Sequence, residues 1–269
     1  MELTESWKDV LPQDIQDRYT IVETRNAAAI MQATNPDEFD DMCRVLSDFQ
    51  LTTEMILTKG GNKTPAALTL DTAFREGGWR EAKYEQTIDT RLIINPYRAG
   101  GERAKRQRHA HNVNEGHQVD NVKGRIALDV EWNAKDGNLD RDISNFRALY
   151  EAGQIDVAVM VTRITGKLRA LAADLIRLAK AQAEQDGDYE RLGVLRKLAD
   201  DPLGSTTTTN LEKLTPRIGR GDAGGCPLLA IAITERCFVP PDNVATAVAE
   251  AASTVGSANQ TVDNPEDDE

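Results

Sequence analysis

Apolar residues recur along this chain with two different periods. From residue 36 to 49, Phe39, Met42, Val45, Leu46 and Phe49 fall three and four apart, which predicts an amphipathic helix, with Asn35 as its cap and Pro36 at the first helical position. The same period recurs over 66–76 in Leu68, Leu70, Ala73 and Phe74, and stops at Gly77-Gly78. A third helix, capped by Asn138 or Asp140, turns Ile143, Phe146, Leu149 and Tyr150 inward and ends at Gly153. A longer one over 167–184 carries Leu168, Leu171, Leu175, Ile176 and Leu178.

Other stretches read as strands. Residues 19–23 and 88–94 suit short strands, and 228–234 a further one. Residues 155–162 are a nearly continuous β-branched run, the mark of a strand buried on both faces. Residues 126–132 alternate, with Ile126, Leu128, Val130 and Trp132 on one face and Ala127, Asp129 and Glu131 on the other. This strand, the helix after it and the run from 155 form a βαβ crossover, so the chain reads as α/β. Residues 59–65, the basic stretch 98–117, and the Gly-, Thr- and Arg-rich stretch 204–225 read as loops. One domain over 1–250 is expected, then an acidic disordered tail over 251–269.

Composition narrows the setting. No apolar run among the 269 residues approaches the ~20 of a membrane span. The first residues lack a basic segment followed by an apolar one, so a cytoplasmic protein is expected. Cys43, Cys226 and Cys237 lack metal-ligand spacing and read as reduced, buried thiols. His109, His111 and His117 have no Cys near them and read as part of a polar loop rather than a zinc site. A net charge of −12 argues against general affinity for nucleic acid. Six of the acids lie in the last twenty residues, however, and the basic residues cluster at Arg98, Arg103, Lys105, Arg106 and Arg108 and again at Arg217 and Arg220. An acidic body with basic patches leaves specific DNA binding open.

The candidate chemistry lies in residues 119–136. Asp129 and Glu131 share a strand face, where two carboxylates repel and at least one pKa rises. Asp120 lies just upstream as a third oxygen donor. A divalent cation relieves the conflict, hard oxygen donors suit Mg²⁺, and Mg²⁺ on such a cluster suits phosphodiester hydrolysis. The competing reading is a solvated sheet edge, where alternation turns polar residues outward.

Asp120, eight residues, then Asp129-Val130-Glu131 resembles the acidic core of PD-(D/E)XK nucleases. The longer stretch from Val119 to Asp142 more specifically resembles the BglII-like family of type II restriction endonucleases. Gly60 to Thr64, Glu76 to Glu81, Ile155 to Val159, Thr206 to Leu211 and Arg220 to Pro227 support it, and the resemblance spans roughly 19–238. It implies a mixed central β-sheet flanked by helices, with the active site at one sheet edge. It also implies a homodimer around double-stranded DNA and Mg²⁺-dependent cleavage at a short palindrome, matching the two-fold axis. A cognate DNA methyltransferase is then expected as a genomic neighbour, and no membrane partner.

The resemblance makes Asp120 and Asp129 the metal ligands, with the Val130 carbonyl as a third. Glu131 becomes the group that orients or deprotonates water. Glu76, on the preceding helix, would approach the metal shell or stand as a solvated helix-end acid. Lys123, Asn133, Lys135, Asn210, Arg217, Arg220 and Asp222 are the expected DNA contacts, with Arg suited to guanine and Asn to adenine. Trp79 and Trp132 are expected in the core. The nuclease motif usually has Glu at Asp129 and Lys at Glu131; relatives in this family carry Gln or Glu at the second position. Two alternatives remain: a structure-specific or repair nuclease with the same core, and a non-catalytic DNA-binding or interaction protein.

Overall fold

The computed structural model describes residues 1–57, 64–95, 103–200, 203, 208–244 and 246–248. The chain begins with β1 (Leu3–Thr4), α1 (Trp7–Val10), α2 (Gln13–Arg18) and β2 (Tyr19–Thr24). Helices α3 (Ala27–Thr34), α4 (Pro36–Asp48), α5 (Thr53–Leu57) and α6 (Pro65–Glu76) follow. Then come β3 (Arg80–Lys83), β4 (Gln86–Ile94), β5 (Lys105–Asn114), β6 (Gln118–Lys123) and β7 (Ile126–Val130). The remainder is α7 (Gly137–Glu151), β8 (Val157–Arg163), α8 (Gly166–Asp186), α9 (Tyr189–Asp200), α10 (Leu211–Arg220) and β9 (Leu228–Ile233).

Among the described residues a seven-stranded mixed sheet runs β1-β2-β9-β8-β7-β6-β3. The pairs β7–β8 and β8–β9 are parallel and the others antiparallel. Helices cover both faces, because alternate residues of the central strands feed two apolar layers. Ile126, Leu128, Val157, Val159, Val161, Leu229 and Ile231 pack with α3, α4, α6 and α8. Ala127, Ala158, Met160, Leu228 and Ala230 pack with α7 and α10. Every residue of β7, β8 and β9 is buried. This is the expected α/β architecture with its βαβ crossover, β7-α7-β8. Trp79 and Trp132 lie in the core, and the three cysteines are buried and free.

Several expectations are corrected. The strand of Asp129 is buried on both faces rather than lying at a solvated sheet edge. Residues 105–114, read as loop, are β5; the strand has no apolar alternation because neither of its faces is covered. Within the stretch 204–225, residues 211–220 form α10. Its buried Leu211, Leu214 and Ile218 keep helical spacing despite the internal Pro216, and Asn210 caps it by accepting from the Lys213 amide at 2.9 Å. Helix α9 is not among the helices expected from periodicity. Helix α7 starts one residue before Asn138, at Gly137. Leu68 and Leu178 face solvent rather than the core. Residues 251–269, and the segments 58–63, 96–102 and 204–207, lie outside the described residues.

Candidate active site

Strands β6 and β7 form a hairpin through Gly124-Arg125, with Gly124 at φ +54°, as a two-residue turn requires. A side chain on Gly124 would run into Glu38 of α4. The register sets Asn121 opposite Leu128 and Lys123 opposite Ile126; one step further, Asp120 faces Asp129. There side chains take over the ladder. The Asp120 amide donates to Asp129 Oδ1 at 2.8 Å, and the Val130 amide donates to Asp120 Oδ2 at 3.2 Å. The two carboxylates are thus cross-locked onto each other's strands.

Glu131 follows at the end of β7, its amide bonded to the Val161 carbonyl at 2.7 Å. Asp129 and Glu131 are only 3% and 6% exposed, while Asp120 is half-buried. Asp142, buried on α7, closes the cluster against Glu131. Its other neighbour, Arg141, donates to Asp142 Oδ1 at 2.9 Å. Crowding favours the protonated carboxyls. Burial, then the charges of Asp120 and Asp142, push Asp129 well above the carboxylate range. Burial, then Asp142, Asp129 and Asp120, push Glu131 up to about 9. Asp142 is raised too, by burial, in spite of Arg141. Glu131 Oε2 and Asp142 Oδ2 are buried and receive no other donor among the described residues, and the two carboxyls hydrogen-bond each other, which requires one of them to hold a proton.

The strand exit is fastened by Arg163, the last residue of β8 and wholly buried. It donates to the Trp132 carbonyl at 2.7 Å, Asn133 Oδ1 at 2.8 Å, the Leu203 carbonyl at 3.1 Å and Thr208 Oγ1 at 2.9 Å. Thr162 and Thr209 hydroxyls both donate to the Glu131 carbonyl, at 2.8 and 3.2 Å. Residues 208–210 are therefore stitched to the end of the acidic strand.

The hairpin brings Asp120, Asp129, Val130 and Glu131 together. Glu76 stands exposed at the end of α6; the buried acid of that helix is Asp71, which accepts from Asn121 Nδ2 at 2.9 Å. Lys123 lies at the turn end of β6, paired with Asp41. The Asn133 side chain is held by Arg163, and that of Asn210 is engaged as the α10 cap. Arg217 pairs with Asp140 and Asp136 at 2.7 and 2.9 Å, and Arg220 with Asp222 at 2.8 Å. Lys135 is exposed beside Thr208. Sequence reasoning missed Asp142, Asp71 and Arg163. Asp142 ends the stretch that carried the resemblance, which is the one signal that pointed toward it.

Among the described residues no group of three or more His, Cys, Asp or Glu side chains is disposed to hold a metal ion. A cation at this site would rest on Asp120, Asp129 and a main-chain oxygen. The donor set is all hard oxygen, and the clustered, proton-retaining acids are what a divalent cation would relieve, so the residues fit one.

The chain matches the family model described as restriction endonuclease BglII/BglIII over residues 19–233. No curated protein matches it. A mixed sheet between two helical layers, with an acidic hairpin end, is in this chain the frame of a DNA-cleaving hydrolase. The chain belongs to the BglII/BglIII family of type II restriction endonucleases.

Proposed function

We propose that the protein cuts both strands of duplex DNA at a short palindromic sequence, with Mg²⁺, as a homodimer and as the restriction half of a restriction–modification pair. The cross-locked pair Asp120–Asp129, with Glu131 buried beside it, is the observation that carries this reading. Asp120, Asp129 and the Val130 carbonyl would hold the ion. When bound, it supplies charge to the scissile phosphate and acidity to water. With the charges of Asp120 and Asp129 offset by a cation, Glu131 would give up its own proton and take that of the attacking water; the water oxygen bonds to phosphorus as the bond to the departing deoxyribose oxygen breaks. Low exposure of Asp129 and Glu131 limits competing solvent. Lys135 and Arg220, the most open of the seven expected contacts, meet phosphate, while Asn133, Asn210, Arg217 and Asp222 shape the surface around them. Lys123 acts structurally, through Asp41.

Digestion of unmethylated phage DNA with Mg²⁺, beside Asp129→Ala, tests this. Discrete fragments that disappear in the variant are expected, and their mapped ends give the sequence read. A smear would replace site-specific cleavage by a structure-specific or repair activity. Uncut DNA across a range of salt would remove the catalytic reading.

A further inference from the structure

Strands β4 and β5 stand apart from the main sheet as a ribbon of their own, paired from Gln86–Asn114 to Ile94–Lys105. Apart from Gln86 and Ala110, every residue of both strands is exposed, so neither face rests on the body. Ile88, Leu92, Ile93, Ile94 and Val113 are all at least 40% exposed. A lone two-stranded ribbon is marginal in water, so this one is built for something that covers it.

Charge identifies the occupant. Residues 86–114 hold six Lys and Arg against two acids, a net of +4 inside a chain of −12, so the remaining residues carry −16. The acid of the paired strands, Asp89, is taken by Arg108 and by His111 at 2.8 Å. Arg91, Arg103, Lys105 and Arg106 have no ion-pair partner among the described residues. Arg91 lies directly opposite Arg108 in the register. Like charges facing across a ladder are destabilising. A polyanion converts that cost into attraction, whereas a second ribbon of +4 adds to it.

Position agrees. The ribbon runs back into the main sheet at Gln118, two residues before Asp120, so it springs from the end of the hairpin that carries the acids. Its nine-residue strand β4 is about 30 Å long at ~3.4 Å per residue, close to one turn of duplex. The major groove admits a two-stranded ribbon.

We propose that this ribbon is an arm lying along the duplex beside the cut site, held by Arg91, Arg103, Lys105 and Arg106. It rests on the proposed cleavage of duplex DNA. The test compares wild type with the triple variant Arg103→Ala/Lys105→Ala/Arg106→Ala. A second variant joins Gln86 to Asn114 by two glycines, deleting the ribbon at a point where its ends already face each other. Binding to a random-sequence 30-base-pair duplex is followed by anisotropy in EDTA over 50–200 mM salt, with sedimentation to give mass. The slope of log K against log salt is expected to fall by about 2–3 in the triple variant, at ~0.9 per lost phosphate contact, and affinity at least tenfold, with mass and melting temperature unchanged. An unchanged slope overturns the arm. So does a loss of dimer mass with the slope intact, which makes the ribbon a contact between copies. In both cases wild-type digestion still yields fragments; if wild type cuts nothing, it is the cleavage reading that has failed.

Discussion

Without a cation, Glu131 retains its proton because of what surrounds it. Burial and the carboxylates of Asp142, Asp129 and Asp120 raise it from 4.5 to about 9. The folded chain therefore binds a proton that the unfolded chain releases above pH 4.5. That contribution to stability is complete below about 4.5 and is lost as pH rises toward 9; raised Asp129 and Asp142 act in the same direction. In EDTA, thermal unfolding is expected to show stability falling across this window. Glu131→Gln keeps the shape without the charge, so it should flatten the slope, add on the order of a few kcal/mol at pH 8, and cut cleavage by about 10²-fold or more. A variant as pH-sensitive as wild type would show that the slope arises elsewhere than at Glu131. The strand-borne acids were legible in the sequence because a period of two fixes which side chains share a face. Asp142 was not, since it meets Glu131 from a helix, and no spacing encodes a contact between a strand and the helix after it.

A buried stripe made most elements readable, but not all: β4 was read although neither of its faces is covered, and α9 and α10 were missed although each buries three apolar side chains. Helix α4 and strands β8 and β9 announce themselves because burial demands a period. Strand β5 has no covered face, and α10 hides three inward residues among Gly, Thr, Arg and Pro. Arg163 shows how elements far apart in sequence are joined. It reaches Trp132, Asn133, Leu203 and Thr208 from a fully buried position. Arg163→Met should leave several buried acceptors without donors and cost about 2–4 kcal/mol in urea unfolding. Cleavage should fall further than stability accounts for, since the end of the acidic strand loses its anchor. Arg163→Lys has no planar fork and should not restore either property; a lysine variant equal to wild type in both would refute the anchoring role.

At the scale of the molecule, sheet order matters more than any pair of residues. Strand β2 joins the sheet only by pairing with β9 and β1, and β8 receives β9 on its other side. Strand β9, the last among the described residues, is thus the keystone between the first third of the chain and the acidic hairpin. The apolar run over residues 228–233 marks the strand itself; its place in the order comes from contacts between distant parts of the chain, which local patterns do not carry. A chain stopped after residue 225 is expected to lack both cooperative thermal unfolding and cleavage, although Asp120, Asp129 and Glu131 are all present. Calorimetry and phage-DNA digestion of that fragment would show it. The order of synthesis then acts as a safety catch: a ribosome will have translated all three acids roughly a hundred residues before it makes the strand that closes the sheet around them.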